Sequence, residues 1–207
     1  HNETSHDGID LLSYPRIIYK LKNIYVDKIF SGWEHNIIIS DEGNIYSFGH
    51  NQSYQCGCEN KKDSENINNP VNLSEKNEGI TATTAACGNE HTLILNKNSV
   101  YSFGNNEDGV LGLDESIKKT YKFNKINFEE YSDKIIDISA GTVHSMALTN
   151  DGQIFSWGSS QGGQLGFEEN KLLSLQKEKN SFYVSKPYLI PFNCPNIIEI
   201  DIAPGSM

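Results

Sequence analysis

Three histidines recur in one setting along this chain: His35, His91 and His144 each stand three residues after a glycine, Gly32, Gly88 and Gly141. Glu34 and Glu90 precede two of them, and Val143 takes the acidic position in the third. An imidazole next to a carboxylate can serve acid–base chemistry or contact polar groups of a partner. Catalysis is the weaker use, because copies spaced this widely lie on separate elements and no nucleophile or orienting carboxylate recurs at a recognisable spacing. Two uses then remain. The five residues Glu34, His35, Glu90, His91 and His144 form a ring of contacts on one face, or each imidazole bonds a neighbouring backbone group and fixes the turn after its glycine.

Other residues with chemical potential point to structure. Cys56, Cys58, Cys87 and Cys194 include one C-x-C pair but no second Cys or His pair at a regular spacing, a poor match to zinc ligation. Cys56 and Cys87 fall where the other copies carry Leu and Ala, which suits small buried hydrophobes. No metal or other cofactor is expected. Gly104 with Asn105-Asn106 and Gly158 with Ser159-Ser160 open loops without the Lys and following helix of a phosphate cradle. Trp157 suits blade packing, whereas Trp33, at a position held elsewhere by Asn89 and Thr142, suits an exposed interface anchor.

These residues are positioned by an internal repeat. KIFSGWEHNIIISDEGNIYSFGHNQSYQCG from Lys28, TAACGNEHTLILNKNSVYSFGNNEDGVLG from Thr84 and IDISAGTVHSMALTNDGQIFSWGSSQGGQLG from Ile136 align throughout, the second one residue short at its turn. Glycine tracks keep the register: Gly32, Gly88, Gly141; Gly49, Gly104, Gly158; Gly57, Gly112, Gly166. Within each copy the apolar period is two, as at Ile37, Ile39 and Ile45, at Leu93, Leu95 and Val100, and at Met146, Leu148 and Ile154. Asp41-Glu42-Gly43 and Asn150-Asp151-Gly152 read as hairpin turns. Gly32, Gly88 and Gly141 sit where a first strand turns toward that hairpin, and positive φ is the expected reason for them. The proline-bearing stretches 70–73 and 187–192 read as outer edge strands, since proline cannot donate to a central ladder.

Four short strands at intervals of some fifty residues describe a propeller blade rather than a helical solenoid. The expected fold is all-β, a β-propeller of four-stranded blades. About three blades are complete, with repeats near 28–57, 84–112 and 136–166, and partial blades stand at both ends. An incomplete repeat begins at 198, residues 1–13 form a polar tail before the partial propeller of 14–207, and polar inserts occupy 58–69 and 167–186. YPRIIYKL, from Tyr14, resembles the outer-strand stretches, as if closing an earlier blade. The second insert carries Leu172, Leu173 and Leu175, either a short helical turn or an ordered loop.

Composition narrows the partners. The formal net charge of −10, from 17 Lys and Arg against 27 Asp and Glu, repels a polyphosphate backbone, and the pairs Lys61-Lys62 and Lys118-Lys119 sit among acidic and amide residues. Direct nucleic-acid binding is not expected, nor is membrane insertion, because no apolar run approaches the roughly 18 residues that span a bilayer. An intracellular location, cytoplasmic or nuclear, is expected.

At 140–149, Asp151-Gly152, Trp157-Gly158 and 162–166 the chain resembles the regulator of chromosome condensation repeat family, and the likeness runs from about Pro15 to Gly205. The resemblance implies a seven-bladed ring, of which this sequence would be a segment, completed by missing blades or by self-association. It also implies that Glu34, His35, Glu90, His91 and His144 match the face that meets the small GTPase Ran in the founding member. Two functions follow: a protein–protein interaction scaffold using the loops 51–54, 105–109 and 159–163, with Asn51, Asn105, Glu107 and Asp108 among its contacts, or a guanine-nucleotide exchange factor for a Ran-like GTPase. An enzyme or enzyme inhibitor on the same scaffold has no motif in its favour.

Overall fold

Apolar residues that alternate along a strand leave water only when strands pair into a sheet and one sheet face packs on another. The computed structural model, which describes residues 3–4, 10–11, 15–60, 65–168, 174, 182–191 and 200, contains this arrangement in three successive sheets. A short antiparallel pair, β1 (Glu3–Thr4) with β2 (Asp10–Leu11), comes first. Blade 1 comprises β3 (Val26–Ser31), β4 (His35–Ser40), β5 (Ile45–His50) and β6 (Asn66–Asn72). Blade 2 comprises β7 (Thr84–Cys87), β8 (His91–Asn96), β9 (Ser99–Asn105) and β10 (Lys119–Lys125). Blade 3 comprises β11 (Ile135–Ala140), β12 (His144–Thr149), β13 (Ile154–Ser159) and β14 (Tyr183–Leu189). Each sheet is antiparallel in strand order, and each outer strand slips register once against its neighbour.

The core lies in the seams between blades. Ile37, Ile39 and Ile45 of blade 1 meet Ala85, Ile94 and Phe103 of blade 2, and Leu93, Leu95 and Val100 of blade 2 meet Ile138, Ala147 and Trp157 of blade 3. One face of a sheet thus serves the preceding seam and the other face the following one, which is why both faces are apolar. Blade 1 has no preceding neighbour among the described residues, and Ile29, the counterpart of buried Ala85 and Ile138, is exposed there.

Antiparallel order also decides where the loops go. The connection from first to second strand and the connection from third to fourth strand emerge on one side of every blade, and the central hairpin turns emerge on the other. The glycine–histidine segments and the loop residues 51–60, 106–118 and 160–168 therefore share a face.

Several sequence expectations need adjustment. The outer strands run Asn66–Asn72 and Tyr183–Leu189 rather than 70–73 and 187–192, so the inserts are shorter than 58–69 and 167–186 at their distal ends. Pro70 and Pro187 do lie in outermost strands. Blade 2 makes its outer strand, Lys119–Lys125, with no proline at all. Pro15 to Ile18 is not a strand, and a 3-10 turn follows at Tyr19–Leu21. Leu172, Leu173, Leu175, Cys194, Gly205 and all of the incomplete repeat from 198 except Ile200 lie outside the described residues. No helix among the described residues is long and apolar enough to cross a membrane.

Candidate functional site

The glycine–histidine segments bring the second strand of one blade against that of the next. His35 Nε2 lies 2.8 Å from Thr92 Oγ1, and Thr92 Oγ1 donates to the Gln55 carbonyl at 2.8 Å. The next seam repeats this: His91 Nε2 lies 3.1 Å from Ser145 Oγ, which donates to the Val110 carbonyl at 2.9 Å. A hydroxyl has one proton, and here it is committed to a carbonyl, so the oxygen accepts from the imidazole and Nε2 carries the hydrogen. Burial keeps both rings neutral, which leaves the lone pair on Nδ1. Burial, reinforced by the charge of His50, pushes the His35 pKa down to about 4, and burial with neighbouring His35 and His144 pushes His91 down to about 3.

These pairs look superficially like nucleophile and base. The proton runs the wrong way, however: the imidazole donates to the hydroxyl, and Thr92 and Ser145 are fully buried. No carboxylate orients Nδ1 of His35, which is buried without a hydrogen-bond partner. The arrangement is a clasp between blades. His144, the third member of the track, is only half-buried, at the far side of blade 3.

The clasp explains the glycines. A Cβ on Gly32 or Gly88 would strike the ring of its own histidine and the carbonyl oxygen of the next glycine in the track, Gly88 or Gly141. None of Gly32, Gly88 and Gly141 has positive φ, so the expectation of a left-handed turn is corrected: space for the imidazole is the requirement. Positive φ belongs instead to Gly49, Gly104 and Gly158, at 119°, 115° and 104°.

Trp157 adds a bond of its own to the second seam, donating from Nε1 to the Val110 carbonyl at 2.7 Å. Phe103 holds the same place in blade 2 and cannot donate. Trp157→Phe is expected to cost about 1–2 kcal/mol, a moderate value because Ser145 still satisfies that carbonyl, with the urea unfolding midpoint as the measurement.

The remaining expected contact residues divide by exposure. His35 and His91, expected on a contact face, are buried in the seams instead. Asn51 is fully buried as well: its Oδ1 accepts from Cys56 N at 2.8 Å, and its Nδ2 donates to the Cys58 carbonyl at 2.9 Å. That amide shapes its loop from within, and Asn106 does the same in blade 2 through Leu111 N and the Ile117 carbonyl. Glu90 is half-buried and accepts from Asn105 Nδ2 at 2.8 Å and Ser53 Oγ at 3.1 Å, tying the loop of blade 1 to blade 2. Glu34 approaches His50 Nδ1 at 3.7 Å and is largely open to solvent. Trp33, 72% exposed, and the exposed Glu107 and Asp108 stand on the same loop face.

Sequence reading missed one further track. Ser47, Ser102 and Ser156 are fully buried and donate to the carbonyls of Cys56, Leu111 and Leu165 at 2.5, 2.7 and 2.7 Å. Each ties the third strand to its following loop, and the constant step of two residues before Gly49, Gly104 and Gly158 is the signal that could have revealed it. Cys56 and Cys87 pack in the first seam as protonated thiols: burial pushes Cys87 up to about 12 and raises Cys56 further. Among the described residues no group of three His, Cys, Asp or Glu could hold a metal ion.

The repeat matches a family model described as "Regulator of chromosome condensation (RCC1) repeat" over residues 42–95 and 97–148, more than half of the chain, and a second model of that description over 26–55, 83–110 and 135–164. The chain belongs to the RCC1 repeat family. Its relatives include human "Protein RCC2", 32% identical over 192 residues, covering 82% of this chain and 36% of that protein. Human "X-linked retinitis pigmentosa GTPase regulator" is 35% identical over 139 residues, 66% of this chain and 13% of the relative. A Dictyostelium discoideum "Bifunctional serine/threonine-protein kinase/NEDD4-like E3 ubiquitin-protein ligase" is 28% identical over 202 residues, 91% of this chain and 10% of the relative. The chain thus spans between a tenth and about a third of these RCC1 relatives. Among solved structures, yeast RCC1 (Prp20) bound to Kap60 superposes with a TM-score of 0.72 at 19% identity, covering 93% of this chain and 42% of that one. Human WBSCR16 gives 0.66 at 23% identity, with 81% and 39% covered. Both are likenesses of fold, and the three sheets of this chain are RCC1 propeller blades.

Proposed function

We propose that this chain is part of an RCC1-type interaction scaffold whose loop face, formed by the first-to-second and third-to-fourth strand connections, engages a partner protein. One observation carries the reading. The recurring polar groups of the two seams, His35, His91, Thr92 and Ser145, and the buried serines Ser47, Ser102 and Ser156 are consumed by seams and loops, while Trp33, Glu34, Glu107 and Asp108 project from the loop face to solvent. An exposed tryptophan among carboxylates supplies an anchor and a charge preference for a basic surface. Among the described residues the recurring histidines of the seams are buried and neutral and their hydroxyl partners are bonded to carbonyls, which favours binding over covalent catalysis.

A complete ring of seven blades fits the proportions, since three blades of seven are about 43% and the chain covers 42% of the yeast RCC1 chain. The buried free thiols Cys56 and Cys58 go with an intracellular setting, cytoplasmic or nuclear. A second reading, nucleotide exchange on a Ran-like GTPase, draws on two likenesses: the human relative named "X-linked retinitis pigmentosa GTPase regulator", 35% identical over 66% of this chain, and yeast Prp20p, 22% identical, described with its binding properties to Gsp1p and histones.

Quantitative affinity capture separates the faces. Partners of the native protein should be lost from a Trp33→Ala, Glu107→Lys, Asp108→Lys variant and kept by Asp41→Lys, Glu42→Lys on the hairpin-turn face. Equal capture by both variants contradicts the assignment of the loop face. Release of labelled GDP from a Ran-like GTPase, measured alongside, should stay at its intrinsic rate; acceleration by about tenfold or more, equivalent to about 1.4 kcal/mol, replaces the scaffold with the exchange factor.

A further inference from the structure

On the loop face the mouths of the two seams are built from equivalent positions, and they close differently. At the first, Ser53 Oγ donates to Glu90 at 3.1 Å and Gln55 Nε2 lies 3.2 Å from His50 Nδ1, so polar side chains bridge the opening. At the second, the glycine tracks place Asp108 and Val143 where Ser53 and Glu90 stand, and Val110 and Asn105 where Gln55 and His50 stand. A valine side chain can make neither bond. A slot of about 60 Å³ stays open there between blades 2 and 3.

Glu90, Glu107 and Asp108 line this slot together with His91 and Val143, and no Lys or Arg stands in its walls. None of the three carboxylates enters an ion pair among the described residues. Partial burial, and after it the charge of Glu107, raise the Asp108 carboxyl above its ordinary pKa, the response of a carboxylate that no cation offsets. His91 is an independent sign of an unfilled site. It is 1% exposed, its Nε2 donates to Ser145, and its Nδ1 lone pair meets no donor among the described residues, although the residue lines the slot. Carboxylates and an imidazole lone pair are all acceptors, so a group that satisfies them together carries N–H donors and positive charge. A water needs about 10–15 Å³ of accessible space, so the slot admits the head of one side chain and not a larger body. With a net charge of −10, the chain favours a cation there over any acidic occupant.

We propose that this slot receives one basic side chain, arginine or lysine, from the partner that the loop face engages, its charged head held by Glu107, Asp108 and His91 Nδ1 and its aliphatic stem lying along Val143. The inference rests on the loop-face reading and names the side chain that this reading leaves open. The occupant supplies at the second seam the polar bridge that Ser53 and Glu90 make at the first. Trp33 belongs to blade 1, so the apolar anchor and the charge contact are separate and can be lost separately.

The test titrates the full chain with N-acetyl-arginine methylamide and with its neutral isostere N-acetyl-citrulline methylamide, followed by backbone amide shifts. The arginine compound should bind saturably and move the amides of His91, Val110 and Val143, and the citrulline compound should bind about tenfold more weakly or less, because hydrogen bonds between charged groups are the stronger ones. Glu107→Gln with Asp108→Asn keeps the shape of both side chains and should weaken the arginine compound by about the same factor, with the melting temperature unchanged. Asp41→Asn with Glu42→Gln, on the hairpin-turn face, removes as much charge and should bind as the native chain does. Shifts confined to other residues, citrulline binding equal to arginine binding, or a Glu107→Gln, Asp108→Asn chain that binds as the native does would each overturn the proposal. Trp33→Ala leaves the slot intact and should bind the arginine compound normally. If the slot fails to bind while Trp33→Ala still loses captured partners, this proposal falls and the loop-face reading stands; if the slot binds while the loop-face variants capture as the native chain does, the loop-face reading falls and the basic side chain has no partner to come from.

Discussion

Gly88→Ala is expected to destabilise the protein by about 3 kcal/mol or more, a fall in melting temperature of roughly 6–12 °C for a chain of this size. The added methyl would overlap the His91 imidazole and lie 2.6 Å from the Gly141 carbonyl oxygen in blade 3. Either the ring swings away or the seam opens. If the ring leaves, the 3.1 Å bond to Ser145 is lost inside the protein, at about 1–3 kcal/mol for the groups stranded there. If the blades separate instead, the packing of Leu93 and Leu95 against Ile138 and Ala147 loosens, with a comparable penalty. Gly163→Ala is the control: its φ is +73°, but nothing lies within 4 Å of the added atom, so only backbone strain of about 1 kcal/mol applies. Urea unfolding of the two variants beside the native chain measures the difference. Equal midpoints for Gly88→Ala and Gly163→Ala would show that the seam has slack around the imidazole.

The blades were legible because their signals are local. Alternating Ile37, Ile39 and Ile45, the turn at Asp41-Glu42-Gly43 and the glycine tracks each report on a few adjacent residues, and the three sheets follow from them. The clasp was not legible in the same way. Thr92 and Ser145 lie more than fifty residues from the histidines they receive, and only the packing of one blade on the next brings them together. Polarity misled at Asn51: an amide in a loop of Asn, Gln and Ser looks solvent-facing, yet it is buried because the loop folds back over it to satisfy its own backbone. Gly141 misled for a related reason, since a missing side chain can serve backbone freedom or a neighbour's ring, and the sequence does not distinguish them. Blade 2 supplied an outer strand without the proline that marked the others because an edge position tolerates proline and does not demand it.

The same clasp makes stability begin to fall with acid above the range where carboxylates titrate, and the fall continues into that range. His35 and His91 have pKa values of about 4 and about 3 in the folded chain against about 6.5 when unfolded. Above pH 6.5 both states are neutral at these groups and the full stability is present. As pH falls from 6.5 toward 4, the unfolded chain takes up protons that the folded chain refuses, so folding weakens, and the loss continues for His91 until about pH 3. Protonation of a folded ring would put a hydrogen on Nδ1, which in His35 faces no acceptor, so refusal is built into the geometry. The two groups together account for several kcal/mol over this interval, because each tenfold difference in proton affinity between folded and unfolded chain is worth about 1.4 kcal/mol. Unfolding midpoints measured in urea at pH 7, 6, 5 and 4.5 should therefore decline steadily. His91→Gln keeps an N–H donor for Ser145 but does not titrate, so it should be less stable than the native chain at pH 7 and lose much less on acidification. A slope unchanged by His35→Gln and His91→Gln together would mean that the acid response comes from elsewhere, and that these imidazoles are not held neutral by the seams that bury them.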